Sequence, residues 1–439
     1  MTGLRVSWEA LRATYWAVPS VMVVGALGLS AGMIQLDRLT GTELLDRLSW
    51  VYTGGPEGAR AVLSTVAASM ITVAGVTFSI TIVALALASQ QFGPRVLRSF
   101  LRDRGNQVVL GTFVSTFVYC LMVLRTVRGG DDDSAFVPNL SVTLGVLLAL
   151  FSLGVLIYFI HHVSVSIQAS QIIANVANDL WDAIDELFPE RVGAGAGEHR
   201  PPAPADDGTS EPVASRRAGY VQVIDGERLL EAAATRDLVV RVDARPGTFV
   251  REGSALLHVS GGRGSEGRDA ALRDAFMVGP DRAGTQDVSF FVEQLVELAV
   301  RALSPGVNDP GTARLCLDRL DQAFSRLATR AWPSPLRFDD AGALRVIAEP
   351  VTFEQIAETA FEEIGRHGRH SVSVTCHLLR TLASVSSAAT RSEDRRALAR
   401  LAAVTVERAL AAIAEDADRR RVEACARAMQ VPIDAEGRS

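Results

Sequence analysis

Lysine is absent from this 439-residue sequence, in which all 44 basic residues are arginine. Schiff-base enzymes, biotinyl or lipoyl carriers and P-loop nucleotide-binding proteins each depend on a lysine. Their lysine-dependent chemistry is therefore excluded. No other cofactor motif stands out, and we predict no cofactor.

Cysteine is scarce: Cys120, Cys316, Cys376 and Cys425 lie far apart, and none belongs to a CxxC pair. Zinc sites and disulfide-rich domains use cysteines at short, repeated spacings. The sequence predicts neither a zinc site nor a disulfide framework. It favours a reducing, cytosolic environment for the last three thiols.

A basic stripe is also missing, since the net charge is −6 and the arginines are scattered. Nucleic-acid-binding proteins carry clustered basic residues. We therefore expect no nucleic-acid partner.

No charged residue or histidine lies between Arg60 and Arg95. A helix over 61–94 would exceed the hydrocarbon core of a bilayer, which is about 30 Å thick. It also lacks the charged stripe of a soluble amphipathic helix. With three similar apolar runs, the sequence predicts four transmembrane helices without Asp, Glu, Lys or Arg, at 16–36, 61–94, 105–124 and 138–160.

The loops between these helices carry unequal charge. Arg95, Arg98, Arg102 and Arg104 form an arginine cluster after the second helix, whereas the loop 125–133 carries three consecutive aspartates. Arginine-rich loops remain in the cytoplasm. We therefore predict a multi-pass protein of the inner (plasma) membrane, with both termini and the soluble half in the cytoplasm.

Thr65, Ser69, Thr72 and Ser79 follow the 3-4-7 spacing of one helix face in the second span. Small hydroxyl residues allow helices to pack closely in lipid. The same face, repeated around a symmetry axis, would line a polar pore. Both interpretations, helix packing and pore lining, remain open at this point.

The pattern predicts a transmembrane domain at 1–160, a helical stalk at 161–189 and a flexible linker at 190–216. A β-rich module at 217–262 and a mainly helical domain at 263–439 follow. The segment RPGTFVREGSALLHV resembles the hairpin of biotinyl/lipoyl-like barrel-sandwich domains, and without a lysine that resemblance implies the scaffold only. The fold class is a membrane α-helical protein with four spanning helices, plus a cytoplasmic α+β region.

A helix–turn–helix junction is predicted at SPGVNDP, residues 304–310. Asp309 suits the N-cap of the second helix and Pro310 its first position, while Ser304 and Pro305 close the preceding helix. An anion site at this N-terminus is the alternative, which Asp309 opposes by its charge. Ser304, Asn308 and Asp309 have no histidine nearby in sequence to complete a hydrolytic cluster.

His367, His370, Cys376 and His377 are close in sequence, but His370 and His377 lie two helical turns apart, too far to chelate one ion. We predict no metal site. No nucleophile–base pair or phosphate loop is evident, so we do not expect an enzyme.

The order of four spans, SQQFGPRVLRSFLRDR, ARPGTFVREG and above all RALSPGVNDPGTA together resemble one bacterial family. It is the predicted membrane proteins known as domain of unknown function 2254, and the resemblance extends over nearly the whole chain. It implies a membrane location and implies no particular activity.

Two functions follow from these observations. The first is an oligomeric channel or channel-like assembly in the lipid bilayer, built from a homo-oligomer with a cytoplasmic regulatory domain. The second is a membrane-anchored scaffold or sensor whose cytoplasmic half binds a protein or a small ligand.

Overall fold

The computed structural model describes residues 16–39, 52, 54–92, 104–129, 136–166, 168–188, 210–262 and 267–429. The chain divides into two compact units, 1–172 and 173–439. Each unit is described by itself below.

Among its described residues, the first unit contains four helices that are long and apolar enough to span a membrane. They are α1 (Ala17–Leu39), α2 (Pro56–Phe92), α3 (Arg104–Leu124) and α4 (Asn139–Ser166). Helix α3 packs against the other three and is the most buried of them. Large apolar side chains on α1, α2 and α4 remain exposed, including Val21, Val83 and Phe151. The four predicted spans are confirmed as apolar helices of spanning length.

The first helix extends beyond its predicted span 16–36 and includes a buried acidic residue. Helix α1 continues beyond residue 36 to Leu39, and it buries the side chain of Asp37. The apolar run ends at residue 36, but the helix does not, because Asp37 finds hydrogen-bond donors on α4.

Helix α5 (Ala169–Leu187) is separate from α4, which ends at Ser166. Six of its residues repeat every seven positions, the spacing of a packing seam: Ile173, Ala177, Leu180 and Ile184 are buried, Leu187 is partly buried and Ser170 is exposed. Asp185 near its end forms ion pairs with Arg326 and Arg330 of the second unit. These contacts favour packing within one subunit over a stalk between subunits.

In the part of the second unit that the structure describes, the strands form two small sheets. Its strands are β1 (Glu211–Ala214), β2 (Gly219–Ile224), β3 (Leu238–Val242), β4 (Phe249–Val250), β5 (Ala255–Gly261), β6 (Phe276–Gly279), β7 (Leu336–Phe338) and β8 (Leu344–Ile347). One sheet has the order β1-β5-β3-β8-β7 and the other β4-β2-β6. Helices α6 (Gly226–Thr235) and α7 (Arg268–Arg273) connect strands of different sheets.

The sheets extend beyond the module expected at 217–262. Strand β1 lies within the range assigned to the linker, and β8 pairs in parallel with β3 from a position more than eighty residues later. A parallel partner requires a long crossover, which α8 and α9 supply. Their bounds are Val288–Ala302 and Pro310–Thr329.

Four further helices complete the described part of the second unit: α10 (Phe353–Gly368), α11 (Val372–Ala388), α12 (Ser392–Ala412) and α13 (Asp416–Ala428). The sequence predicts one helix over 393–429, which is wrong. Ile413 adopts an extended conformation that ends α12. The side chain of Ile413 is then buried with Ala409 and Val422, so the break lets α13 fold back and pack.

Candidate functional site

The second unit contains a cavity of about 600 Å³ that serves as the candidate site. Ligand-binding cavities of proteins occupy roughly 300–1,000 Å³. Its walls come from the start of α6, the Pro246 turn, the N-terminus of α8, strand β8 with the residues after it, and the end of α5. Distant parts of the sequence thus meet around one space.

The cavity lining is mainly aliphatic. Its apolar members are Leu187, Phe188, Ile224, Leu229, Leu230, Val242, Pro246, Val288, Pro333, Val346, Ala348, Pro350, Val351 and Ile356. Leu229, Val288, Val346 and Ile356 are fully buried and also belong to the protein core. The remaining members are polar or charged, or glycine, and they define the chemistry of the rim.

One lining residue, Asp287, belongs to an ion-pair cluster beside the cavity. Nε of Arg282 lies 2.7 Å from Oδ2 of Asp287, and its Nη1 lies 2.6 Å from Oε2 of Glu293. Burial raises the pKa of Asp287, and the Arg282 guanidinium opposes that rise. Asp287 lines the cavity, but its charge is compensated by Arg282.

Gly247 makes this arrangement sterically possible. Its φ is +87°, and a Cβ at this position would lie 2.2 Å from Oδ2 of Asp287. Only a glycine lets the turn adopt this conformation and approach the carboxylate so closely. The Pro246-Gly247 pair in the sequence predicts a turn, but only the structure shows that this turn contacts Asp287.

Arg245 is the notable polar residue of the lining. It is half-buried, and its side chain makes no hydrogen bond or ion pair with any residue in the described part of the chain. Arg337 donates to the backbone carbonyls of Ser334 and Leu336. Glu227 and Glu349, the other charged members, are exposed to solvent.

Gln286 has its amide already engaged. Its Oε1 accepts from the backbone N–H of Ile224 at 2.9 Å, and its Nε2 donates to the carbonyl of the same residue at 3.1 Å. This pairing ties the start of α8 to strand β2. Gln286 therefore supports the cavity wall and offers little to a ligand.

The four hydroxyl residues predicted on one face of α2 point away from the other described helices of the first unit. Thr65, Ser69, Thr72 and Ser79 are exposed, and each hydroxyl donates to the carbonyl four positions earlier on its own helix, at 2.7–2.9 Å. The buried face of α2 instead carries residues such as Leu63, Ala67, Ala74 and Thr81. The structure therefore does not use the hydroxyl face to pack α2 within the subunit.

The arginine cluster lies mostly outside the described residues. Of its four members only Arg104 is described, as the exposed first residue of α3. Arg95, Arg98 and Arg102 lie outside the described ranges.

The SPGVNDP junction has the geometry of a capped turn. Oδ1 of Asp309 accepts from the N–H groups of Gly311 and Thr312, and Oδ2 accepts from the Thr312 hydroxyl at 2.6 Å. These hydrogen bonds lower the pKa of Asp309, and the bond from the Thr312 hydroxyl has the largest effect. Pro310 is the first helical residue, and Asn308 adopts a left-handed φ of 47° that orients the chain into α9.

No hydrolytic arrangement appears among the junction residues. Ser304 donates its hydroxyl to the carbonyl of Arg301, and Pro305 is exposed. The Asp309 carboxylate occupies the helix N-terminus that an anion would need. The junction therefore acts in this structure as a helix cap.

The first unit contains a buried polar cluster that the sequence did not predict. Oδ1 and Oδ2 of Asp37 accept the N–H groups of Leu140 and Ser141, and the Ser141 hydroxyl donates to Oδ2 at 2.5 Å. The Tyr119 hydroxyl in turn donates to the carbonyl of Ser141 at 3.0 Å. Asp37 thus caps α4 from the end of α1. The sequence does contain a signal for this contact: Asp37 directly follows the first apolar run, and the fourth run begins with the polar residues Asn139 and Ser141.

Cys376 and Cys425 form a disulfide between α11 and α13, with Cα atoms 5.7 Å apart. The sequence did not predict this bond, which is possible because the break at Ile413 turns α13 back against α11. Cys120 and Cys316 are free and buried. Burial raises the pKa of Cys316 to about 12, so this thiol is not a nucleophile at neutral pH.

His367, His370 and His377 each pair with one neighbouring side chain. Nε2 of His377 lies 2.6 Å from Oδ1 of Asp318, and His367 lies 3.6 Å from Glu363. His370 accepts from Arg369. Within the residues that the structure describes, no group of three potential ligands is placed to hold a metal ion.

Comparison with known proteins places these observations in a family. The family model described as Predicted membrane protein (DUF2254) matches residues 12–384. Uncharacterized proteins of Mycobacterium bovis and of two strains of Mycobacterium tuberculosis are 35% identical over 430 residues, which are 96% of this chain and 81% of each relative. No solved structure matches the chain.

Proposed function

The chain belongs to the DUF2254 family of predicted membrane proteins, and we propose that it is a membrane-anchored sensor whose soluble unit binds a small ligand. The observation that carries this proposal is the aliphatic cavity of about 600 Å³ in the second unit. A largely apolar cavity with a few polar groups is the usual form of a small-molecule site.

Several features of the cavity fit ligand binding rather than a packing defect. Its walls come from α5, α6, α8 and the β8 segment, so an occupant would bridge elements that are distant in sequence. Gln286 and the Arg282–Asp287 pair hold the walls in place without filling the space. A ligand bound there would stabilise the folded unit in proportion to its occupancy.

The test is to fill the cavity from its wall. Ala348→Phe places a large side chain at a half-buried lining position. The matched control is Ala341→Phe, in the exposed β7–β8 turn and outside the lining. Full-length protein would be purified in nanodiscs, and native mass spectrometry would search for a co-purified small molecule.

We expect a bound molecule in the wild type and in Ala341→Phe, and none in Ala348→Phe. A molecule retained equally by all three proteins would place binding elsewhere and contradict the proposal. Empty protein in all three preparations, with no thermal shift on adding membrane or cell extracts, would also contradict it.

The proposed location is the inner membrane, with both termini in the cytoplasm. The arginine-rich segment 95–104 and the aspartate-rich loop 125–133 support this orientation, since cytoplasmic loops carry an excess of arginine. The soluble unit would then sample cytoplasmic ligands, and the bilayer would be its anchoring partner.

A second candidate function is an oligomeric channel. The observation that favours it is the exposed hydroxyl face of α2, which the single subunit does not cover. In a homo-oligomer this face would meet other subunits or line a path between them. A cytoplasmic domain would then regulate the assembly.

Planar-bilayer recording with Thr72→Leu tests this candidate. Ile71→Leu is the matched control, because Ile71 is also exposed on α2 but lies on a different face. We expect conductance that Thr72→Leu abolishes and Ile71→Leu preserves. Silence across voltage, tension and pH, together with a monomeric native mass, would exclude the channel.

A further inference from the structure

We propose that the cavity ligand is an amphiphile with an aliphatic chain and one anionic head group, a carboxylate or a phosphate, which Arg245 binds. This proposal rests on the proposed ligand-binding function and specifies its ligand class. It depends on three observations: the nature of the lining, the unpaired arginine and the compensation of the nearest acid.

The cavity lining favours the aliphatic chain of the proposed ligand. Phe188 is the only aromatic residue among the described lining residues, and the others that are apolar are aliphatic or proline. Flat ring systems are usually held by aromatic stacking. Aliphatic walls favour a flexible hydrocarbon chain, whose burial is driven by the removal of apolar surface from water.

The head group is selected by Arg245. This guanidinium is half-buried at the cavity wall and has no partner among the residues that the structure describes. A guanidinium presents paired N–H donors that match a carboxylate or a phosphate. An anion bound there would supply the partner that the described residues do not provide.

The neighbouring helix end adds a second donor set. Asp287, the N-cap of α8, and the first helical residues Val288 and Ser289 line the cavity. The first N–H groups of a helix favour anions. Asp287 does not cancel this effect, because its carboxylate is paired with Arg282.

Two acidic residues of the lining would repel an anionic head group, but this repulsion is weaker than the attraction by Arg245. Glu227 and Glu349 are exposed, so water and salt screen their charge. Glu227 also lies in the first turn of α6, where the helix dipole offsets a negative charge. The half-buried charge of the lining that remains uncompensated is therefore the positive charge of Arg245.

The experiment measures binding of four ten-carbon probes to the full-length protein in nanodiscs by isothermal titration calorimetry. The probes are decanoate, decyl phosphate, decanol and decylamine. Decanoate, decyl phosphate or both should bind about tenfold or more tightly than decanol, since one ion pair typically contributes that much, and decylamine should bind least. A preference for the carboxylate would indicate free fatty acids, and one for the phosphate would indicate lipid phosphates.

Arg245→Gln tests the residue assignment, and Arg251→Gln is the control. Arg251 is an exposed arginine close in sequence and outside the lining. We expect Arg245→Gln to lower the affinity for the anionic probes about tenfold while leaving decanol binding unchanged. The control should change neither.

The selectivity separates this proposal from the function on which it rests. Tightest binding of decylamine or decanol would overturn the anionic head group and leave the ligand-binding function standing. An equal loss for all probes in Arg245→Gln would overturn the role of Arg245 in selecting charge. Failure of every probe to bind, with a different molecule co-purifying in the wild type and absent from Ala348→Phe, would overturn only the ligand class.

Discussion

At the scale of single residues, the Asp37 carboxylate connects two helices of the first unit. It is buried, accepts hydrogen bonds from two backbone N–H groups and the Ser141 hydroxyl, and joins the end of α1 to the start of α4. A carboxylate at a helix N-terminus satisfies donors that the helix itself leaves free.

We expect Asp37→Ala to destabilise the membrane unit by about 2–4 kcal/mol, because N–H groups of α4 would lose a charged acceptor in a buried site. Thermal unfolding in detergent, followed by size-exclusion chromatography, measures the loss. Glu57→Gln is the control, since Glu57 is an exposed acid in the first turn of α2. Equal stability of Asp37→Ala and the control would contradict the capping role.

Gly247 offers a second residue-scale prediction. Gly247 and Gly253 have similar positive φ values, +87° and +83°, but a Cβ at residue 253 meets no atom within 4 Å. Both Ala substitutions incur backbone strain of about 1 kcal/mol. Gly247→Ala should cost about 1–3 kcal/mol more, through its clash with Asp287. Urea unfolding of both variants measures the difference, and equal losses would show that the Asp287 contact has no energetic weight.

At the scale of secondary-structure elements, the SPGVNDP junction determines how α8 leads into α9. The Asp309 side chain caps α9, and the N–H of Asp309 donates to the carbonyl of Ala302 at 2.8 Å, which closes α8. One residue therefore ends one helix and begins the next. The sequence predicted this geometry because caps and helix-start prolines depend on neighbouring residues only.

We expect the stability from Asp309 to depend on pH. Its pKa is lowered in the folded protein, so its contribution is complete above the unfolded value of about 3.9 and is lost as pH falls through the lower folded pKa. Asp309→Ala should cost about 1 kcal/mol at pH 7 and less at pH 2–3. Urea unfolding at several pH values tests this, with Asp340→Ala as an exposed control. A pH-independent cost would contradict a charged cap.

The disulfide is the other element-scale feature, since it links α11 to α13 across 49 residues of sequence. Closing a loop of that length stabilises a fold by about 2–4 kcal/mol. In the proposed orientation the pair meets a reducing cytosol, where such bonds are rarely maintained.

We therefore expect both thiols to be free in intact cells and to pair in purified, air-oxidised protein. Alkylation of cells before lysis, followed by mass mapping of the two cysteines, measures the first state. Thermal unfolding with and without reductant measures the second, with Cys376→Ser as the reductant-insensitive control. A fully formed disulfide in alkylated cells would argue for an oxidising compartment and against the proposed orientation.

At the scale of the whole molecule, orientation in the membrane decides which ligands the second unit can meet. Reporter fusions after residues 128 and 429 test it. With alkaline phosphatase, which is active outside the cytoplasm, we expect activity at 128 and none at 429, because the proposed orientation keeps the arginine-rich segment in the cytoplasm. The opposite pattern would reverse the topology, and the cavity would then face extracytoplasmic molecules.

The length and apolar character of the four described helices of spanning length follow directly from the sequence, because a bilayer requires about twenty apolar residues in a row. Helix caps at Asp309 and Thr352 are equally local. Strand β8 is different: its pairing with β3 joins residues 346 and 240, and no local pattern records such a partner.

The sequence by itself determined that this is a four-helix membrane protein with a separate α+β half, since hydrophobic length and periodicity are properties of contiguous residues. Only the tertiary structure decided that the α2 hydroxyls face outward, that Asp37 caps α4 and that Cys376 meets Cys425. It alone placed Arg245 beside an aliphatic cavity. These are contacts between segments distant along the chain, and their formation depends on packing and burial, which local spacing does not record.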